Sequence, residues 1–93
     1  MTTYRKTKFD RVIDVRTKLE FWLGHVAGAE NIPVDRIAEA LPGRADIAKD
    51  AKILVYCASG GRSASAMATM QRMGYTHVVN GGGYAEVSRE ITE

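Results

Sequence analysis

The 93 residues amount to 10.2 kDa and carry 13 basic against 11 acidic side chains, a formal net charge of +2. With 45% hydrophobic and 26% charged residues this is one small globular domain, which excludes a disordered chain, and in so short a sequence nearly every apolar side chain is needed for the core. A charge of +2 is too small to imply nucleic acid by itself, none is expected as a partner, and no apolar run is long enough for a bilayer. The opening Met1-Thr2-Thr3-Tyr4-Arg5-Lys6 lacks a secretory apolar stretch, so a cytoplasmic location is expected.

Strand and helix signals alternate along the chain. Val12-Ile13-Asp14-Val15 is a β-branched run that predicts a buried strand, and Leu19, Trp22 and Leu23 follow at helical spacing until Gly24 stops the helix. Ala29 to Ile32 predicts a second strand ended by Pro33, which has no ladder donor. Asp35 to Leu41 predicts a helix with Ile37 and Leu41 on one face, and Asp46 to Lys52 a polar connection. Ile53-Leu54-Val55-Tyr56 is the most apolar run, and its brevity predicts a central strand covered on both faces. Ser63 to Met73 reads as a helix with Ala66, Met67, Met70 and Met73 in one stripe and Gly74 as a left-handed cap. His77 to Asn80 predicts another strand, Gly81-Gly82-Gly83 a turn, and Tyr84, Val87 and Ile91 a last helix face. Such alternation gives an α/β class: a parallel sheet of four to five strands with helices on both faces.

The chemistry gathers at Cys57. As the only cysteine it forms neither an internal disulfide nor a zinc site, and no metal or cofactor is called for. A lone cysteine is ordinarily a small buried hydrophobe. This one, however, follows the central strand, where open parallel sheets bind ligands. The loop Ala58-Ser59-Gly60-Gly61-Arg62 lets the backbone curl into an anion nest, and the helix expected from Ser63 adds its positive end. A helix terminus lowers a thiol pKa by only about one unit, so loop amides and the charge of Arg62 must supply the rest. That pattern points to a nucleophilic thiolate. Disulfide exchange and thiol-dependent arsenate reduction generally need a second cysteine. Phosphatase chemistry needs five residues between Cys and Arg, whereas four separate Cys57 from Arg62, a ring that suits one sulfur better than a phosphate.

Several motifs, in this order, resemble the single-domain rhodanese (thiosulfate sulfurtransferase) family. They are Asp14-Val15-Arg16, Glu20-Phe21, the run from Gly24-His25 to Ile32-Pro33, Ile53 to Ser63 around Cys57, Gly74-Tyr75, and Gly81-Gly82. The resemblance covers roughly residues 10–90 and implies a rhodanese-like three-layer fold over residues 1–93. It also implies ping-pong transfer of a sulfane sulfur through a Cys57 persulfide, from thiosulfate or a similar donor to cyanide or a thiol. A persulfide carrier or protein-docking module without turnover is the alternative. By the family pattern the active loop is Ala58, Ser59, Gly60, Gly61 and Arg62 with Ser63 opening the helix, and Arg62 would help bind the sulfonate of the donor. Partners so implied are the donor, the acceptor and an acceptor protein, with the chain a monomer or weak homodimer. Residues 1–10 read as a short basic segment in place of the strand and helix that usually open the domain, which leaves a sheet edge open to pairing.

Asp14 and Arg16 share a strand face and read as an ion pair or loop anchor, with substrate contact as the other role. His25 reads as a hydrogen-bonded structural residue, because thiolate attack needs little general-base help once the pKa is low, and His77 reads the same way. Asn31 is expected to satisfy backbone groups in a turn. Arg5, Lys6 and Lys8 read as a solvated basic end.

Overall fold

The β-branched run Arg11–Asp14 (β3) and the apolar run Lys52–Cys57 (β5) lie side by side as the interior strands of a parallel sheet, where side chains are covered on both faces. A computed structural model describes residues 2–93; Met1 lies outside the described residues. The two-residue strand Glu30–Asn31 (β4) flanks β3 and His77–Gly83 (β6) flanks β5, giving the order β4-β3-β5-β6. Lys18–Leu23 (α1) follows β3. A 3-10 turn at Val34–Arg36 runs into Ile37–Ala40 (α2), Gly61–Arg72 (α3) follows β5, and Tyr84–Glu90 (α4) closes the order. The expected α/β architecture is what forms.

Alternation along β5 divides the core into two layers. Ile53, Val55 and Cys57 face the layer built by Ile37, Leu41, Ala66 and Met70 of α2, its C-cap and α3. Leu54 and Tyr56 face the layer closed by Val87 of α4 together with Tyr4 and Phe9. The methionine stripe divides as burial dictates: Met70 is fully enclosed, while Met67 and Met73 are half-buried at the margin. Gly74 caps the helix at φ +99°, the left-handed conformation the sequence predicts.

Four expectations are corrected. The basic N-terminal segment is an antiparallel hairpin, Thr2–Tyr4 (β1) paired with Thr7–Phe9 (β2), whose Tyr4 and Phe9 fill the second layer. Tyr4 donates its hydroxyl to the Gly81 carbonyl at 3.0 Å, and Thr3 exchanges two backbone hydrogen bonds with Thr92 at 2.7 and 2.9 Å. Arg5 is not simply solvated, because it pairs with Glu90 at 3.1 Å and Glu86 at 3.4 Å. Gly81-Gly82-Gly83 is no turn but the end of β6. There the ladder pairs Val55 with Asn80 yet Cys57 with Gly83, so β6 carries one extra residue as a bulge. Finally, Leu19, Trp22 and Leu23 are not core: α1 forms where predicted but buries none of its residues, and these three are 64%, 77% and 72% exposed.

Candidate active site

Strand β5 delivers Cys57 to the C-terminal edge of the sheet, where its side chain is fully buried. The chain then bends through the exposed Ala58 and Ser59 to Gly60, which sits at φ +98° as the cap of α3. Only glycine takes that conformation without steric cost, and the sharp bend aims the Gly60 N–H at Cys57 Sγ, 3.0 Å away. Helix α3 starts at Gly61, two residues before the expected Ser63. Arg62 and Ser63 therefore occupy its first turn, where peptide N–H groups have no partner inside the helix.

Ser63 Oγ lies 3.4 Å from Sγ. Burial pushes the Cys57 thiol up, but hydrogen bonds from the Ser63 hydroxyl and from the N–H groups of Ser63, Ser59 and Gly60 outweigh it and bring the pKa down to about 7. Roughly half of the sulfur is then thiolate at neutral pH. The positive end of a twelve-residue helix acts in the same direction.

Arg62 meets a carboxylate of the helix before the loop. Its Nη1 and Nη2 donate to the two carboxylate oxygens of Glu20 in α1 at 2.6 and 3.0 Å, a bidentate pair. Arg62, joined by the Thr17 N–H, holds the Glu20 carboxyl at a pKa of about 2. The loop cation thus has its counter-ion in place; the strongest groups lowering the thiol pKa are peptide N–H and hydroxyl donors, and Arg62 and the Cys57 thiolate also attract each other.

Asp14 and Arg16 form a buried ion pair at 2.7 Å, and Arg16 also donates to the Gly24 carbonyl at 2.6 Å. The Arg16 guanidinium lies 4.4 Å from the Tyr84 ring, so the pair ties β3 to the segment after α1 and to α4. Asn31 donates to the carbonyls of Asp14 and Arg16, both at 3.0 Å. His25 Nδ1 lies 2.8 Å from the Phe21 carbonyl oxygen and its ring stacks on Phe21 at 3.6 Å, while His77 Nδ1 is 2.9 Å from the Thr76 hydroxyl. The polar contacts of Asp14, Arg16 and His25 thus serve the surrounding chain rather than the thiol.

Two roles at the site escaped sequence reasoning, that of Asn80 and that of Glu20, which figures only within the Glu20-Phe21 motif. Asn80, near the end of β6, accepts from Ser63 Oγ at 2.6 Å and from the Gly82 N–H at 2.9 Å, and donates to the Gly60 carbonyl at 3.1 Å. It therefore fixes both the cap and the hydroxyl that face the sulfur. Its signal was an amide standing between a β-branched pair and three glycines. Glu20 is the other; its signal was a carboxylate three residues after Thr17, which also makes it the capping-box partner of α1. The glycines after Asn80 serve close approach: a Cβ on Gly83 would lie 2.6 Å from the Ala58 carbonyl oxygen, and one on Gly81 2.9 Å from Leu54.

A family model described as the rhodanese-like domain matches residues 3–90. The thiosulfate sulfurtransferase PspE of Escherichia coli K12 is 41% identical over 80 residues, spanning 82% of this chain and 72% of that protein. The tRNA uridine(34) hydroxylase of Erwinia tasmaniensis is 36% identical over 85 residues. That match spans 87% of this chain but 24% of the hydroxylase, so the chain corresponds to about a quarter of that relative. Among solved structures, a rhodanese with anions from E. coli superimposes with a TM-score of 0.78 at 34% identity, covering 89% of this chain and 96% of the other. The human single-domain sulfurtransferase TSTD1 gives a TM-score of 0.75 at 28% identity over 82% and 78% of the two chains.

Proposed function

The chain belongs to the rhodanese-like family, and from that premise we propose that it moves a sulfane sulfur from thiosulfate or a similar donor, through Cys57, to a thiol or cyanide. The carrying observation is the sulfur itself, buried yet brought to a pKa of about 7 by donors from the bend and the first turn of α3.

In the first half-reaction the Cys57 thiolate attacks the outer sulfur of thiosulfate. A sulfur–sulfur bond forms to Cys57, the bond to the sulfonate sulfur breaks, and the electron pair leaves with sulfite. In the second, an acceptor thiolate or cyanide attacks the outer sulfur of the persulfide and Cys57 departs as thiolate. Each step displaces a leaving group at sulfur, so no external oxidant or reductant enters. Donors that stabilise the resting thiolate are also placed to stabilise it as the leaving group of the second step. Glycine at position 60 and the clamp from Asn80 hold those donors in place before any donor arrives. A reducing compartment such as the cytoplasm suits a thiol that must return to its free state after each cycle.

Incubation with thiosulfate followed by intact mass tests this directly. An added sulfur of about 32 Da should load, be removed by cyanide, and be absent in Cys57→Ser. Failure of every sulfane donor to load the native chain overturns it.

A further inference from the structure

We infer that the outer face of α1 is the docking surface for an acceptor protein that presents its cysteine among apolar side chains, an inference resting on the sulfur-transfer reading above. Six residues are too few for a helix to stand alone in water, and α1 buries none of them. Polar ties hold it: the Thr17–Glu20 capping box, the Glu20–Arg62 pair, and the bond from Arg16 to the Gly24 carbonyl. These ties turn Glu20 inward and leave Leu19, Trp22 and Leu23 on the outside. At positions i, i+3 and i+4 the three side chains are neighbours and form one patch. An amphipathic helix normally does the reverse, and an exposed apolar cluster of this kind marks an interaction site.

The patch sits on the helix that is tied to the active-site loop. Glu20 of the same helix grips Arg62 in the first turn after Cys57. Leu23 lines a pocket of about 220 Å³ together with Arg16, Glu20, Gly24 and Tyr84. The size of the patch selects its occupant. Three such side chains offer on the order of 400 Å², about half of what each partner of a stable complex buries. That is too little to hold a second copy of this chain, but it fits a partner that must leave after every transfer. Chemistry selects it further. Small anions gain nothing from an exposed indole, and the nearby Arg62 already has its counter-ion, so the face favours apolar groups around the incoming sulfur.

Two synthetic peptides test the inference on the full chain, each with one central cysteine, flanked by leucines in one and by glutamines in the other. With the thiosulfate-loaded protein, kcat/KM for the leucine peptide should exceed that for the glutamine peptide by about tenfold. Leu19→Gln combined with Trp22→Gln should erase the difference while leaving thiosulfate–cyanide turnover unchanged. Trp22 is the only tryptophan, so a leucine peptide with serine in place of its cysteine should shift the emission of the native protein to the blue. That signal needs no chemistry, and failure to load sulfur therefore remains distinguishable from failure to dock. Equal rates with the two peptides, an unmoved emission, or an equal loss of cyanide turnover in the double variant overturns the inference. So does a blue shift that grows with protein concentration alone, which would give the face to a second copy.

Discussion

Removing the Ser63 hydroxyl should raise the pKa of Cys57 by about one unit. A hydrogen bond to an ionised group contributes about 1.5–3 kcal/mol, and one pKa unit corresponds to about 1.4 kcal/mol. The lower end applies, because the contact is 3.4 Å long and the single hydroxyl proton is also within reach of Asn80 Oδ1 at 2.6 Å and the Gly60 carbonyl at 3.1 Å. Ser63→Ala should therefore move the midpoint of the thiolate ultraviolet absorbance from about 7 to about 8, measured as a difference against Cys57→Ser. At pH 7 the thiolate fraction falls roughly fivefold, but a more basic thiolate is intrinsically about threefold more nucleophilic, so alkylation by iodoacetamide should slow only about twofold. Above about pH 7.6 the variant should become the faster of the two. A native midpoint near that of a free thiol, or an unchanged midpoint in Ser63→Ala, would refute the account of how the sulfur is ionised.

Glu20→Gln keeps the capping box but withdraws the counter-ion from Arg62; a dianionic donor should then feel an improvement on the order of 1 kcal/mol, seen as a KM for thiosulfate about fivefold lower. Gly83→Ala forces the Ala58 carbonyl away and should cost about 1–3 kcal/mol in urea denaturation while raising the Cys57 midpoint. The hairpin turn places Arg5 and Lys6 at φ +48° and +69°, so Lys6→Gly should relieve strain and, after the entropy of glycine is deducted, raise Tm by a few degrees, about 0.5 kcal/mol. Cys57 is an acid whose folded pKa lies below its unfolded value. Its stabilising contribution is thus complete above about pH 9 and fades as pH falls through 7, and the stability gap between the native chain and Cys57→Ser should widen by about 2 kcal/mol from pH 6 to pH 10.

The layers of the fold were legible because burial writes itself into residue type. Val12-Ile13 and Ile53 to Tyr56 have to be interior strands, and Ile37, Leu41, Ala66 and Met70 have to cover them. Cys57 and its bend were legible for a similar local reason: a thiol, two glycines and a helix start stand within seven residues. Contacts between distant segments were not. Nothing in the run Cys57 to Arg62 says that Glu20, forty-two positions away from Arg62, already neutralises the arginine. The three glycines after Asn80 read as a turn by composition, because the requirement they meet, room for Leu54, Val87 and the Ala58 carbonyl, belongs to other elements. Leu19, Trp22 and Leu23 have the spacing of a buried stripe, and spacing cannot tell which side of a helix meets the protein when polar ties decide its orientation.

The bulge in β6 makes length itself a property of this site. Between Asn80 and Gly83 the edge strand advances three residues while its neighbour advances two from Val55 to Cys57. Excising one glycine would restore an even ladder and leave the sheet intact by every measure of secondary structure. It would also draw Tyr84 and the whole of α4 back by one residue, about 3.3 Å along the strand. The stretch from Asn80 to Gly83 therefore works as a spacer gauge: trimming it would keep the ladder, shift Val87 in the second layer and break the Gly82 N–H bond that orients the Asn80 amide, so a deletion variant that still folds should lose its ionised sulfur.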